Sequence, residues 1–119
     1  MSDKQKTIKT SVSISGTGLH TGNEATLSFH PAPENSGYRF RRIDLDPGIS
    51  VPADVDHVVD TSRGTSIEYK GIRIDTVEHV LAALAGLGID NVTVELDKSE
   101  TPILDGSARI YVEDRKSVV

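Results

Sequence analysis

Short runs in which apolar and polar residues take turns recur along this chain, and that period of two most narrows the folds open to it. Thr7 to Ser15 sets Ile8, Val12 and Ile14 against Thr10, Ser11, Ser13 and Ser15. Glu24 to His30 places Ala25, Leu27 and Phe29 on one side, and Val92-Thr93-Val94-Glu95-Leu96 alternates most cleanly. Each reads as a half-buried strand. The first two are joined by the glycine-rich Gly16-Thr17-Gly18-Leu19-His20-Thr21-Gly22-Asn23, whose glycines are expected to supply positive φ in a hairpin. Pro31 to Gly37 is a loop by composition. Tyr38 to Ile43 is a further strand, with Arg39 and Arg41 on one solvated face. Asp46-Pro47-Gly48 is a turn, followed by a short extended piece, Ile49 to Val51, closed by Pro52. Ala53 to Val59 has no regular pattern. Ser66–Tyr69 and Ile72–Ile74 flank Lys70-Gly71, a tight hairpin turn.

One stretch breaks the alternation. Val77, Val80, Leu81 and Leu84 follow the i, i+3, i+4, i+7 spacing of a helix face. Asp75 is the expected N-cap, Glu78 stands three residues later, and Gly86 and Gly88 end the helix. At about 100° per residue, Glu78 flanks the apolar face and His79 lies nearly opposite it. Glu78, His79, Ala82 and Ala83 are therefore expected to be exposed. A second helix is expected from Ala108 to about Lys116, capped by Ser107 after the Asp105-Gly106 turn. Strands outnumber helices and join through hairpins. The expected class is α+β, a mainly antiparallel sheet with two helices packed on one face.

A chain of 119 residues suits one domain, able to bury roughly two-thirds of its unfolded surface. The net charge of −5 argues against nucleic acid, which calls for a basic face. Absence of cysteine excludes disulfides and thiolate metal sites and suits a reducing cytoplasm. No apolar run approaches the roughly 20 residues of a membrane span, and no hydrophobic signal region follows Met1. The expectation is a soluble, cytoplasmic chain without a transmembrane segment.

Local chemistry leaves alternatives open. Glu78-His79 can be a capping carboxylate beside a solvated imidazole, or an acid and a ligand working in a cleft. The H-x-x-E-H zinc-protease signature is not met, because Asp75 stands where its first His would be. The imidazoles are His20, His30, His57 and His79. A catalytic zinc takes three protein ligands plus water, and no spacing here nominates three. Gly16-Thr17-Gly18 fails as a phosphate loop, since it leads into a strand without Gly-Lys-Ser/Thr. Asp60-Thr61-Ser62-Arg63-Gly64-Thr65 can be a polar turn, or a substrate loop offering Arg63 to an anion.

Four ordered blocks carry a further signal. They are Ser15-Gly16-Thr17-Gly18-Leu19-His20-Thr21-Gly22, Asp60 to Thr65, Thr76-Val77-Glu78-His79-Val80-Leu81-Ala82-Ala83-Leu84 with Gly86 to Asn91, and Glu100-Thr101-Pro102-Ile103-Leu104-Asp105-Gly106-Ser107-Ala108. Together they closely resemble the N-terminal half of the UDP-3-O-acyl-N-acetylglucosamine deacetylases, zinc enzymes of lipid A synthesis in Gram-negative bacteria. The resemblance runs from about Lys6 to the end.

The resemblance implies that His79 is a zinc ligand and Glu78 the general base. It implies that Thr61, Ser62 and Arg63 lie against the substrate, with Leu19 and His20 on the cleft rim. The Asp105-Gly106-Ser107 turn is read as structural. The implied fold is two related α+β domains, of which residues 1–119 would be the first. The resemblance also implies that the remaining zinc ligands and a general acid come from the second domain; no His follows His79 in this sequence. The implied partners are a UDP-linked acylated glucosamine and that C-terminal domain. Some relatives are fused to a hydroxyacyl-carrier-protein dehydratase. The chain alone would then be inactive. The rival expectation is a non-catalytic binding or scaffolding domain that keeps the fold without the metal.

Overall fold

The computed structural model describes residues 5–62, 64–103 and the strand 112–115. Its strands are β1 (Gln5–Ile8), β2 (Val12–Thr17), β3 (Glu24–Pro31), β4 (Tyr38–Arg42), β5 (Val51–Pro52), β6 (Val58–Asp60), β7 (Ser66–Tyr69), β8 (Ile72–Ile74), β9 (Val92–Leu96) and β10 (Val112–Arg115). The helix α1 spans Glu78–Gly86. The stretch with no legible pattern, Ala53 to Val59, holds a 3-10 turn over Val55–His57 and the start of β6.

The larger sheet runs β2-β3-β9-β4-β5. β2 and β3 form the expected hairpin, with Val12 opposite Phe29 and Ile14 opposite Leu27. β9 inserts between β3 and β4, antiparallel to the first and parallel to the second. The sheet is therefore mixed, and β4 does not follow β3 as a neighbour. This suits β9, whose Val92, Val94 and Leu96 are buried on one face while Thr93 and Glu95 stay half-buried on the other. A central strand needs partners on both edges to satisfy its backbone groups.

β6, β7 and β8 make a second, antiparallel sheet. Its β7–β8 turn has both Lys70 (φ 52°) and Gly71 (φ 80°) in the left-handed region, as a type I′ hairpin requires. β1 and β10 pair antiparallel as a third, two-stranded element. That pairing corrects the second helix: residues 112–115 are strand, and α1 is the single α-helix among the described residues. Ile110-Tyr111-Val112 is a β-branched and aromatic run, and partnering β1 outweighs the capping signal. The Asp105-Gly106-Ser107 turn and the remainder of that expected helix lie outside the described residues.

Phe29, Phe40, Leu27, Ile67, Ile74 and Leu84 are among the largest side chains of one apolar core spanning both sheets and the helix. Val77, Val80 and Leu84 face it as the helical spacing demands. His79, Ala82 and Ala83 are exposed as expected, whereas Glu78 is half-buried. Arg39 and Arg41 are half-buried on one face of β4, where Arg39 Nε–H donates to Ser36 O at 3.1 Å and Arg41 stands 3.5 Å from Glu95. Arg42, buried on the other face, is held bidentately by Asp44.

Buried Asn91 ties the N-terminal strand to the core. Its Oδ1 accepts the Gly37 N–H at 2.9 Å, and its Nδ2 donates to Gln5 Oε1 at 2.8 Å. Asn91→Ala would leave the Gly37 donor without its partner. The expected loss is about 1–3 kcal/mol, measured by chemical denaturation.

Candidate active site

The helix start is decided by tertiary contacts rather than by a cap. Asp75 does not cap α1, which corrects the sequence expectation. Its carboxylate accepts Ser66 Oγ–H at 2.7 Å and Arg73 Nε–H at 2.8 Å, and α1 begins three residues later at Glu78. Between them Thr76 sits at φ 61°, an outlier for a β-branched residue. Such a conformation costs on the order of 1–3 kcal/mol and persists only where its surroundings over-determine it. They do so here. Thr76 Oγ1 donates to Glu100 Oε2 at 2.9 Å, its carbonyl accepts the Thr101 hydroxyl, and the next N–H, on Val77, donates to Thr65 O at 3.0 Å.

The bend at Thr76 sets Glu78 beside the Gly64–Thr65 backbone. Glu78 Oε2 accepts the Thr65 N–H at 2.8 Å, while Oε1 is buried with no hydrogen-bond partner. The carboxylate therefore bonds neither back to Asp75 nor across its own helix end. His79 follows it on the exposed side of the first turn.

On the other side of Thr76 lies an open cleft of about 390 Å³, with His20, Thr21, Asp60, Ser62, Thr76 and Glu100 in its walls. Of the residues expected to contact substrate, it gathers His20 and Ser62. Leu19 is exposed at 55% beside it, and Thr61 is exposed on the loop above Ser62. Arg63 lies outside the described residues. Glu78 and His79 do not line this cleft; Glu78 is tied to its surroundings through the Thr65 N–H and through the backbone bend at Thr76. Among the described residues no three His, Asp or Glu side chains gather as a metal-binding group.

Glu100 is the residue that reading by local motif missed. Only 2% exposed, it accepts the N–H of His20 (3.0 Å to Oε2), the N–H of Thr21 (2.9 Å), the Thr21 hydroxyl (3.0 Å) and the Thr76 hydroxyl. Its carboxylate also explains the glycine loop. Of the loop's glycines Gly22 takes the expected positive φ (71°), whereas Gly16 and Gly18 do not. A Cβ on Gly18 would fall 2.3 Å from Glu100 Oε1, so closeness of approach, not dihedral freedom, demands glycine there.

Burial pushes the Glu100 carboxyl up, but the N–H groups of Thr21 and His20 and the two threonine hydroxyls together outweigh it and hold it below its ordinary 4.5. A depressed folded value means that the ionised form contributes stability above the unfolded value, lost as pH falls through the folded one. Stability is thus expected to decline below pH 4.5, with a shallower decline in Glu100→Gln, measured as midpoint denaturant concentration against pH. At the cleft mouth, Asp60 is held down at about 2 by the Ser62 N–H and hydroxyl and by Arg73.

Comparison with known proteins now bears on this geometry. The family model for UDP-3-O-acyl N-acetylglycosamine deacetylase matches residues 5–118. The chain belongs to this deacetylase family. It is 50% identical over 110 residues to the UDP-3-O-acyl-N-acetylglucosamine deacetylase of Idiomarina loihiensis, covering 92% of this chain and 36% of that protein. The Haemophilus influenzae deacetylase gives the same figures: 50% over 110 residues, 92% and 36%. A bifunctional LpxC/FabZ enzyme of Bacteroides thetaiotaomicron is 50% identical over 115 residues, covering 97% of this chain and 25% of that protein. The chain thus spans about a quarter to a third of the length of these relatives. The two-part name of the Bacteroides protein accords with the expected fusion among relatives. The Glu100–Ile103 part of the block that carried the resemblance is the segment that holds the glycine loop and Thr76 in register.

Proposed function

We propose that this chain is the first domain of a zinc-dependent deacetylase that removes the N-acetyl group from UDP-3-O-(3-hydroxyacyl)-N-acetylglucosamine in lipid A biosynthesis. The observation that carries the reading is the seat of Glu78. One carboxylate oxygen is fixed by the Thr65 N–H, the other is buried without a donor, and an exposed imidazole stands next to it. A buried acceptor left unpaired costs about 1–3 kcal/mol, so its persistence calls for a function. Membership of the family and identity to named deacetylases support the substrate class.

The donors present fit part of a zinc site. His79 would hold the ion through an imidazole nitrogen, and the remaining ligands would come from a second domain. Zinc, when bound, lowers the pKa of a water to about 7 and polarises the amide carbonyl. Glu78 takes the proton of the attacking water at Oε1, while Oε2 stays on Thr65 and keeps the carboxylate from turning. As the amide C–N bond breaks, acetate leaves and the sugar amine takes a proton. Leu19, His20, Thr61, Ser62 and Arg63 contact the UDP-linked substrate. The exposed Ala82 and Ala83 allow close packing of the second domain against α1. A nucleotide-linked substrate accords with a cytoplasmic location. No helix among the described residues is long and apolar enough to cross a membrane.

The test is zinc titration of the full-length protein that contains this chain. His79→Ala is expected to abolish tight zinc binding while the thermal melt of the metal-free protein stays in place. Unchanged zinc affinity in that variant would overturn the metal role and favour a scaffolding domain.

A further inference from the structure

We infer that Glu100 is a positioning residue, a buried carboxylate that clamps the Leu19–Thr21 loop to Thr76 and so sets the substrate rim against the helix carrying Glu78 and His79. The inference rests on the proposed role of Glu78. It concerns a residue remote in sequence from both elements.

Three features make the clamp specific. First, the carboxylate divides its work. Oε1 accepts from the Thr21 N–H and hydroxyl, while Oε2 accepts from Thr76 Oγ1 at 2.9 Å and the His20 N–H at 3.0 Å. Neutral side chains could not accept from so many donors at once. Second, Gly18 is cut away to admit it, since a Cβ there would lie 2.3 Å from Oε1. Third, the Thr76 end holds a left-handed β-branched residue that would otherwise relax. Relaxing Thr76 would turn the Val77 N–H off Thr65 O and so loosen the Thr65 backbone that seats Glu78. The segment containing Glu100 is itself fastened on both sides. Asp75 N–H donates to Ser99 O at 2.7 Å, and Ile103 N–H donates to Thr17 O at 3.1 Å. The clamp therefore joins two elements that are each already bonded through their backbones to the segment carrying Glu100.

The experiment uses the full-length protein, with kcat and KM expressed per folded molecule, and amide hydrogen exchange as a readout independent of turnover. Thr76→Val keeps the branched shape and deletes the donor. It is expected to lower kcat about 10- to 100-fold, the scale of a small misplacement of a catalytic group. It should also speed exchange at the His20 and Thr21 amides, 55 or more positions away along the chain. Thr76→Ser restores the hydroxyl and should restore both. Thr21→Val, on the substrate arm, should raise KM about tenfold with kcat nearly kept. Thr76→Val combined with Glu100→Gln should be no worse than the poorer single variant. If Thr76→Val and Thr21→Val only lower the melting temperature, leaving kcat, KM and the remote amides unchanged, Glu100 is merely structural and the inference is overturned. Full activity in Glu78→Gln would instead remove the proposed function, while the exchange result would still report on the clamp.

Discussion

Glu78→Gln in the full-length protein is expected to lower kcat by about 10²- to 10⁴-fold, the usual contribution of a positioned general base. The substitution is close to isosteric, and the site dictates how the amide must sit. Thr65 N–H points at Oε2 from 2.8 Å, so the glutamine oxygen has to take that place. The NH₂ group is then forced into the position of Oε1, the oxygen with no partner. The one acceptor free to receive a proton becomes a donor, and little else changes. KM, zinc content and the thermal melt should stay near wild type. Steady-state kinetics on protein of measured zinc content check this, and a zinc-loaded variant that turns over normally would sink the role given to Glu78.

Gly64→Ala should also lower kcat strongly, by about 100-fold, without replacing a reacting group. Gly64 sits at φ 98°, where an L-residue is strained, and its Cβ would lie 2.5 Å from Glu78 Oε2. Backbone and carboxylate cannot both stay. Either the loop swings out and takes the Thr65 N–H with it, or Glu78 turns away from its seat. Both routes misplace the base, and a displacement near 1 Å is worth about 100-fold in kcat. Strain of about 1–3 kcal/mol should appear in the melt as well. A Gly64→Ala enzyme with wild-type kcat would mean that this close approach does not hold Glu78.

Much of this architecture can be read from short-range pattern. Alternation marks β2, β3, β7, β8 and β9, and Lys70-Gly71 announces its turn, because these features depend on neighbours two residues apart. The helical face is equally legible from Val77, Val80 and Leu84. Where pattern misleads, a distant partner outweighs it. Asp75 has the composition of a cap, yet Ser66 and Arg73 claim its carboxylate. The expected helix after Ser107 gives way over 112–115 to pairing with β1, more than a hundred positions earlier. Gly16 and Gly18 looked like turn residues and are clearance for Pro102, Ile103 and Glu100.

By itself the amino-acid order determined the class of the chain, its strand and helix periods, its family and the pairing of an acid with an imidazole on adjacent residues. Tertiary structure alone decided that Glu78 has one oxygen tethered and one free, that Thr76 is held in a strained bend, and that Glu100 joins loop to helix. The physical reason is distance along the chain. Periodicity is set by bonds between near neighbours, whereas hydrogen bonds from Glu100 to residues 76, 20 and 21 exist only once the core has brought those segments together.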